Sequence, residues 1–320
     1  MNRRALLLSL LASVAPGAAA HAESYPSRPV KVIVPFAAGG PLDLVARGLG
    51  DKFAANLKQP FVIENRAGAG GNIGTEAAAK AAPDGYTLLM VLSGTLAANP
   101  ALYGKLPFDP ETDFRPISLL TTSSQMLVVH PSVSVNSVAE FVAMAKREPI
   151  AYAHAGPGSG GHLAMEYFRL MAGFDAVQVP YRGNAPLVID LVGGQVKAGF
   201  VATAGVIAHV RERRLKGLAI SSTQRSPLAP DVPTTAQAGY PDLKINTYFV
   251  LLAPARTPDA IIGLLEREIQ TALKAPDLQE KFRVQDIIPL GTTPAEAKAR
   301  LREETVLWAD IVKRGNLRLN

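Results

Sequence analysis

Three glycine-bearing segments are the places where this sequence could do chemistry. The first is Pro35-Phe36-Ala37-Ala38-Gly39-Gly40-Pro41-Leu42-Asp43, set between a Val/Ile run and a helical pattern. The second, Ala155-Gly156-Pro157-Gly158-Ser159-Gly160-Gly161-His162, joins the same kinds of element further along. Glycines let backbone approach a ligand closely, and the first N–H groups of a helix are unpaired and carry the positive dipole end. Such a loop suits an anion such as a carboxylate, although one loop alone also fits an ordinary tight strand-to-helix turn. Ser159 adds a hydroxyl that can donate to an anion or cap the helix. The third segment, Pro180-Tyr181-Arg182-Gly183-Asn184, offers Arg182 and Asn184 as further side-chain donors.

Other chemistries fail on spacing. Gly68-Ala69-Gly70-Gly71-Asn72-Ile73-Gly74 spaces its glycines as GxGxxxG rather than GxGxxG, and no GxxxxGK[ST] exists. Pro157 stands where a hydrolase elbow would need glycine before Ser159. His162 and Glu166 share a helical face without a partner histidine, and read as a helix-start residue and a solvated acid. Arg211, Arg213, Arg214 and Lys216 have no interleaved aromatics and read as a solvated helix end, not a nucleic-acid surface. No cofactor and no metal is expected.

The elements that must position these loops alternate. Strands are predicted at Val30–Val34, Phe61–Glu64, Thr87–Leu92, Leu127–His130, Ile150–Ala153, Ala176–Val179, Val196–Val201 and Tyr248–Leu252. Between them run helical patterns: Leu42 to Leu57, Asn72–Ala81, Ser137–Lys146, His162–Ala172 and Ala185–Leu191. The last quarter is helical, with Pro258–Lys274 and Pro294–Arg314 each opened by a Thr-Pro pair whose Thr257 or Thr293 serves as N-cap. This alternation predicts parallel sheets covered by helices, arranged as two α/β lobes with a cleft; the absence of a flexible linker predicts strands that cross between lobes. Two loops at carboxyl ends of strands, facing one another across the cleft, would then form one binding site.

Composition agrees. The chain has 320 residues, 48% of them hydrophobic, which is ample for packed cores. It contains no cysteine, so disulfides and thiolate chemistry are excluded. Residues 1–22 read as a cleaved secretory signal: Arg3 and Arg4, an apolar run, then Ala20-His21-Ala22. Its removal would lower the formal charge from +6 to +4, since it holds two arginines and no acid. With no cysteine at the cleavage point there is no lipid anchor, and a freely diffusing periplasmic protein is expected.

At this point the residues match a family. Tyr25-Pro26-Ser27-Arg28-Pro29, the Pro35–Asp43 loop, Glu64–Gly74, Ala79–Leu88, Asn99–Asp109, Val179–Gly183, Asp190–Val196 and Arg225–Pro233 follow one another in order. In that order they resemble the periplasmic solute receptors of tripartite tricarboxylate transporters, the Bug-type binding proteins. The resemblance runs from about Tyr25 to the C-terminus. It implies an α/β, two-lobed periplasmic-binding-protein (type II, Venus-flytrap) fold with two crossover strands. Lobe I would comprise 23–124 plus 246–320, and lobe II 125–245. It also implies a non-enzymatic, monomeric receptor holding a small organic carboxylate in the cleft for membrane permease subunits.

Carried over residue by residue, Phe36, Ala37, Ala38, Gly39, Gly40, Leu42 and Asp43 would grip a carboxylate, bordered by Ser93, Gly94 and Thr95. Gly156, Gly158, Ser159, Gly160, His162, Tyr181, Arg182, Val201 and Thr203 would close from the other lobe. Asp43 is first a helix N-terminal acid that stabilises its loop. The sequence departs from the family pattern at Pro41, Leu42, Lys197 and Val201-Ala202, where small, hydroxyl, acidic or amide residues are usual. These losses remove polar groups, so an apolar or aromatic monocarboxylate is expected rather than an amino acid. Lys197 either faces solvent or pairs with a second carboxylate. A ligand-sensing subunit of the same fold and an exported α/β enzyme acting on carboxylates are the alternatives.

Overall fold

A computed structural model describes residues 25–317; the secretory-signal reading of residues 1–22 lies outside them. In chain order the elements are β1 (Val30–Val34), α1 (Pro41–Leu57), β2 (Phe61–Asn65), a 3-10 turn (Ala69–Gly71), α2 (Asn72–Ala79), β3 (Thr87–Leu92), α3 (Ser93–Ala97) and α4 (Asn99–Tyr103). Then come β4 (Phe114–Val129), α5 (Val138–Ala145), β5 (Ile150–His154), α6 (Gly160–Ala172), β6 (Ala176–Pro180), α7 (Asn184–Val192), β7 (Ala198–Ala202) and α8 (Thr203–Arg211). The chain closes with β8 (Lys216–Ile220), β9 (Asn246–Pro254), α9 (Asp259–Leu273), α10 (Pro276–Arg283), β10 (Ile288–Pro289) and α11 (Pro294–Gly315).

The strands run in the order β2-β1-β3-β9-β4-β7-β5-β6, with β8 and β10 also paired to β4. Parallel pairing holds within β2-β1-β3 and within β6-β5-β7, as the alternating pattern predicted. The parallel pairing predicted for the sheets stops at β4 and β9, which are antiparallel to each other and to their neighbours. Both are traversed in the opposite sense because they carry the chain between the halves. The sixteen-residue β4 pairs with β9 from Phe114 to Ser124, then with β7 from Gln125 to Val129 and with β8 from Met126 to Val129.

One hydrophobic core forms around β1, β3 and β9 under α1 and α9, with Val30, Leu49, Phe53, Leu88 and Leu265 fully enclosed. Helix α1 fits that core because Leu42, Val45, Ala46, Leu49 and Phe53 recur on one face. Two further cores cover opposite faces of the second half-sheet, one around Phe141, Tyr152 and Phe168, the other around Leu187, Leu191 and Val206. Helix α11 joins both halves: Ala297 belongs to the first core, Trp308, Ile311 and Val312 to the second. Thr293 caps α11 as predicted, in a reciprocal capping box with Glu296. Thr257 does not cap α9; the N-cap is Pro258, and the Thr257 hydroxyl donates to the Pro254 carbonyl instead.

Glu304 of α11 is buried where the helix crosses beside Ser93, and its Oε2 has no hydrogen-bond partner. Burial pushes its carboxyl up to about 7, against opposing pulls from Ser93 and Arg300, while Glu303 adds to the rise. A carboxyl raised in the folded state stabilises the fold below its unfolded value and loses that contribution as pH climbs through the folded value. Stability is therefore expected to fall by about 3 kcal/mol from this group between pH 4.5 and well above 7. Urea midpoints measured across that range should show the decline in wild type and a flatter profile in Glu304→Gln.

Candidate functional site

The carboxyl ends of β1, β3, β5 and β7 lead directly into the starts of α1, α3, α6 and α8 along one seam between the lobes. Pro41 stands in the first turn of α1, where a missing N–H costs nothing. The remaining first-turn amides of these helices have no intrahelical acceptor. Loop meets loop here by direct backbone approach. The Ala37 amide donates to the Arg182 carbonyl at 3.0 Å across the seam. A methyl group placed on Gly94 would overlap the carbonyl oxygen of Gly158, and one on Gly70 would stand 2.5 Å from the Pro157 oxygen.

Hydroxyls line the floor. Ser123 Oγ lies 3.1 Å from Thr203 Oγ1, Thr122 donates to the Thr247 carbonyl, and Gln125 Nε2 donates to Thr247 Oγ1 at 2.9 Å. Ser93, Thr95, Ser123, Ser159 and Thr203 are all buried at this seam. Two cavities flank the contact. One, of about 270 Å³, is walled by Phe36, Gly70, Tyr103, Pro157, Tyr181 and Arg182. The other, of about 380 Å³, is walled by Gly39, Gly40, Asn184, Ala185, Ala204 and His209, among others. A larger apolar groove beside α11, near Leu96, Phe114 and Val306, shares no residue with these loops.

Asp43 is a loop anchor by its hydrogen bonds. Oδ2 accepts from the Gly39 amide at 3.0 Å and from Arg47 Nε, while Oδ1 accepts from Arg47 Nη2 and Asn65 Nδ2. Burial pushes this carboxyl up, but the Arg47, Gly39 and Asn65 hydrogen bonds and the Arg47 charge outweigh it and hold it below the usual range. Asp43→Asn should leave donor facing donor and lower unfolding stability by about 2 kcal/mol. The urea midpoint reports that loss; an unchanged midpoint would mean the anchor carries nothing.

The second loop is arranged differently from the sequence reading. The Gly156 amide donates to His154 Nδ1 at 3.3 Å and the Gly158 amide to His162 Nδ1 at 3.2 Å. Both N–H groups point away from the seam, so this loop's remaining donors are the Ser159 hydroxyl and the α6 amides of Gly160 and Gly161. Ser159 caps α6 by accepting from the His162 amide. His162 is wholly buried behind the loop, its ring centroid 4.6 Å from that of His154 and tilted 33° to it. Val201 is buried in β7, and Thr203 opens α8.

Tyr181 and Arg182 line the first cavity; Tyr181 Oη donates to Asp190 Oδ2 at 2.7 Å, and burial with Asp190 pushes the phenol up to about 12. Glu166 is not solvated as predicted. It is buried, accepting from Tyr152 Oη at 2.5 Å and Arg169 Nε at 2.6 Å. Lys197 faces solvent and donates to Ser132 Oγ at 2.9 Å, away from the seam. Lys216 is not at a helix end: it begins β8 and donates to the carbonyls of Val133 and Val135. Sequence reading missed Gly70, Asn99 and Tyr103, which are gathered here from separate segments. Asn99 Nδ2 donates to the Gly70 carbonyl at 3.1 Å and to Asn72 Oδ1 at 2.7 Å. Among the described residues no cluster of three His, Asp or Glu could hold a metal, and no helix is long and apolar enough to cross a membrane.

Residues 45–317 match the family model described as the tripartite tricarboxylate transporter family receptor. The chain belongs to that receptor family. Over its full length it is 38% identical to all of Protein BugT of Bordetella pertussis. Two solved structures are similar throughout. MatC from Rhodopseudomonas palustris with bound malate has TM-score 0.86 at 33% identity, covering 90% of this chain and 100% of that one. The R. palustris protein Rpa4515 with adipate has TM-score 0.87 at 31% identity, covering 91% and 98%. The fold is accordingly the two-lobed periplasmic-binding-protein type, and the role is that of a solute-binding receptor.

Proposed function

We propose that this receptor captures a small organic carboxylate between its lobes in the periplasm and hands it, chemically unchanged, to a membrane permease. The observation that supports this is the seam itself: α1, α6 and α8 begin there from opposing lobes, directing unpaired amides and the Ser159 and Thr203 hydroxyls to one place. Lobe I is taken as 23–124 with 246–320, lobe II as 125–245, and the working form as a monomer. The carboxylate is gripped by the Ala38–Asp43 loop and Ser93–Thr95 from one side, and by Ser159–Gly161 and Val201–Thr203 from the other. Closure of the lobes then follows from tighter binding to the closed state.

Carboxylate ligands in MatC and Rpa4515 support the ligand class. Leu42, buried Val201 and Ala202, and Lys197 turned to Ser132 support a ligand with an apolar body. A thermal-shift screen over aliphatic and aromatic mono-, di- and tricarboxylates tests the reading. Stabilisation by at least one apolar or aromatic monocarboxylate is expected. Stabilisation only by a nucleotide or a sugar would overturn it.

A further inference from the structure

We infer that His154 and His162 act as a paired template that sets the conformation of the Gly156–Gly158 loop, and with it how lobe II seats on lobe I. The inference rests on the proposed function only in taking this loop as part of the ligand seam.

The two imidazoles come from the end of β5 and the first turn of α6, on either side of the loop they hold. Both are fully buried. Each Nδ1 accepts one loop amide, Gly156 for His154 and Gly158 for His162. An Nδ1 that accepts must be unprotonated, so both rings are neutral with hydrogen on Nε2. Their burial agrees: it pushes His154 down to about 4 against opposing hydrogen bonds with Gly156 and Gln178, and, with the neighbouring His154 ring, holds His162 well below its ordinary value against Gln178.

Two consequences follow for the loop. With its amides drawn inward, the Pro157 and Gly158 carbonyls project toward Gly70 and Gly94 of lobe I. Gly158 has φ +72°, and Gly156 has φ +117°, backbone that L side chains rarely adopt. Two amide acceptors behind the loop offset that unusual geometry. Asparagine places Oδ1 where histidine has Nδ1, whereas leucine fills similar space with no acceptor. His154 and His162 are therefore positioning residues, acting on the seam through the loop.

The test uses the isotopically labelled full chain without ligand, so its outcome is independent of the carboxylate screen. In wild type, NMR should show both rings neutral with hydrogen on Nε2, and a scalar coupling between the Gly158 amide nitrogen and His162 Nδ1. His162→Leu should speed exchange of the Gly158 amide at least about tenfold. His162→Asn should restore its protection. A ring protonated on Nδ1 in wild type would overturn the inference, and this needs no variant to fold. Asparagine and leucine variants with equal exchange would overturn it as well.

Discussion

Gly94→Ala is expected to abolish ligand-induced stabilisation while leaving the unliganded protein nearly as stable as wild type. The added methyl would overlap the Gly158 carbonyl oxygen, and neither atom can turn aside, because the oxygen is backbone and the methyl is attached directly to backbone. The two groups belong to opposing lobes, so the strain is relieved simply by keeping the lobes apart. Overpacking of this kind costs about 1–3 kcal/mol, and here it falls on the closed state alone. Affinity for a stabilising carboxylate should drop by up to about a hundredfold. The unliganded melting temperature should hardly change, since alanine suits the short helix α3 better than glycine. Calorimetric titration and a melting curve together decide it: retained affinity would mean that the lobes need not meet at Gly94 to hold ligand.

Gly161→Ala should do the reverse. Its methyl would overlap the Phe200 carbonyl oxygen, but α6 and β7 are packed in the same lobe around Phe168 and Phe200. No lobe motion relieves that clash, so the helix must lift from the sheet. A loss of about 3 kcal/mol is expected, with a melting temperature lower by roughly 6–10 °C. A loss below about 1 kcal/mol would contradict the close α6–β7 packing. The pair of variants separates glycines that permit closure from glycines that permit folding, although both read alike in the sequence.

Much of the framework was legible for a physical reason. Strands buried on both faces, such as Val30–Val34 and Thr87–Leu92, are continuous apolar runs, and helix α1 repeats its apolar residues at helical spacing. The long crossover strand β4 was not, and only its end at Leu127–Val129 was recovered. Its middle, Thr121-Thr122-Ser123-Ser124-Gln125, is polar and reads as a loop, yet it lies in the sheet, where Thr203, Asn246 and Thr247 partner the side chains of Thr122, Ser123, Ser124 and Gln125, and the Thr121 hydroxyl is buried without a partner. Helix α10 was missed because its charged sequence buries only Leu278 and Phe282. The glycine loops were visible as ligand candidates, but the direction of their amides was not. His154 and His162 are eight residues apart, at no helical or metal-binding spacing, and become partners only when the loop between them folds back. Glu166 likewise looks solvated until Tyr152 and Gln178 are brought to it from neighbouring strands, beside Arg169 of its own helix.

The central claim is that the seam recognises a carboxylate group, and one titration tests it most directly. The most stabilising acid from the screen is titrated by calorimetry beside its primary amide, which has nearly the same shape but no charge and one acceptor fewer. The account predicts one acid bound per chain and an amide at least about a hundredfold weaker, because charge-assisted hydrogen bonds to the helix-start amides are lost. Equal affinity for acid and amide would contradict it.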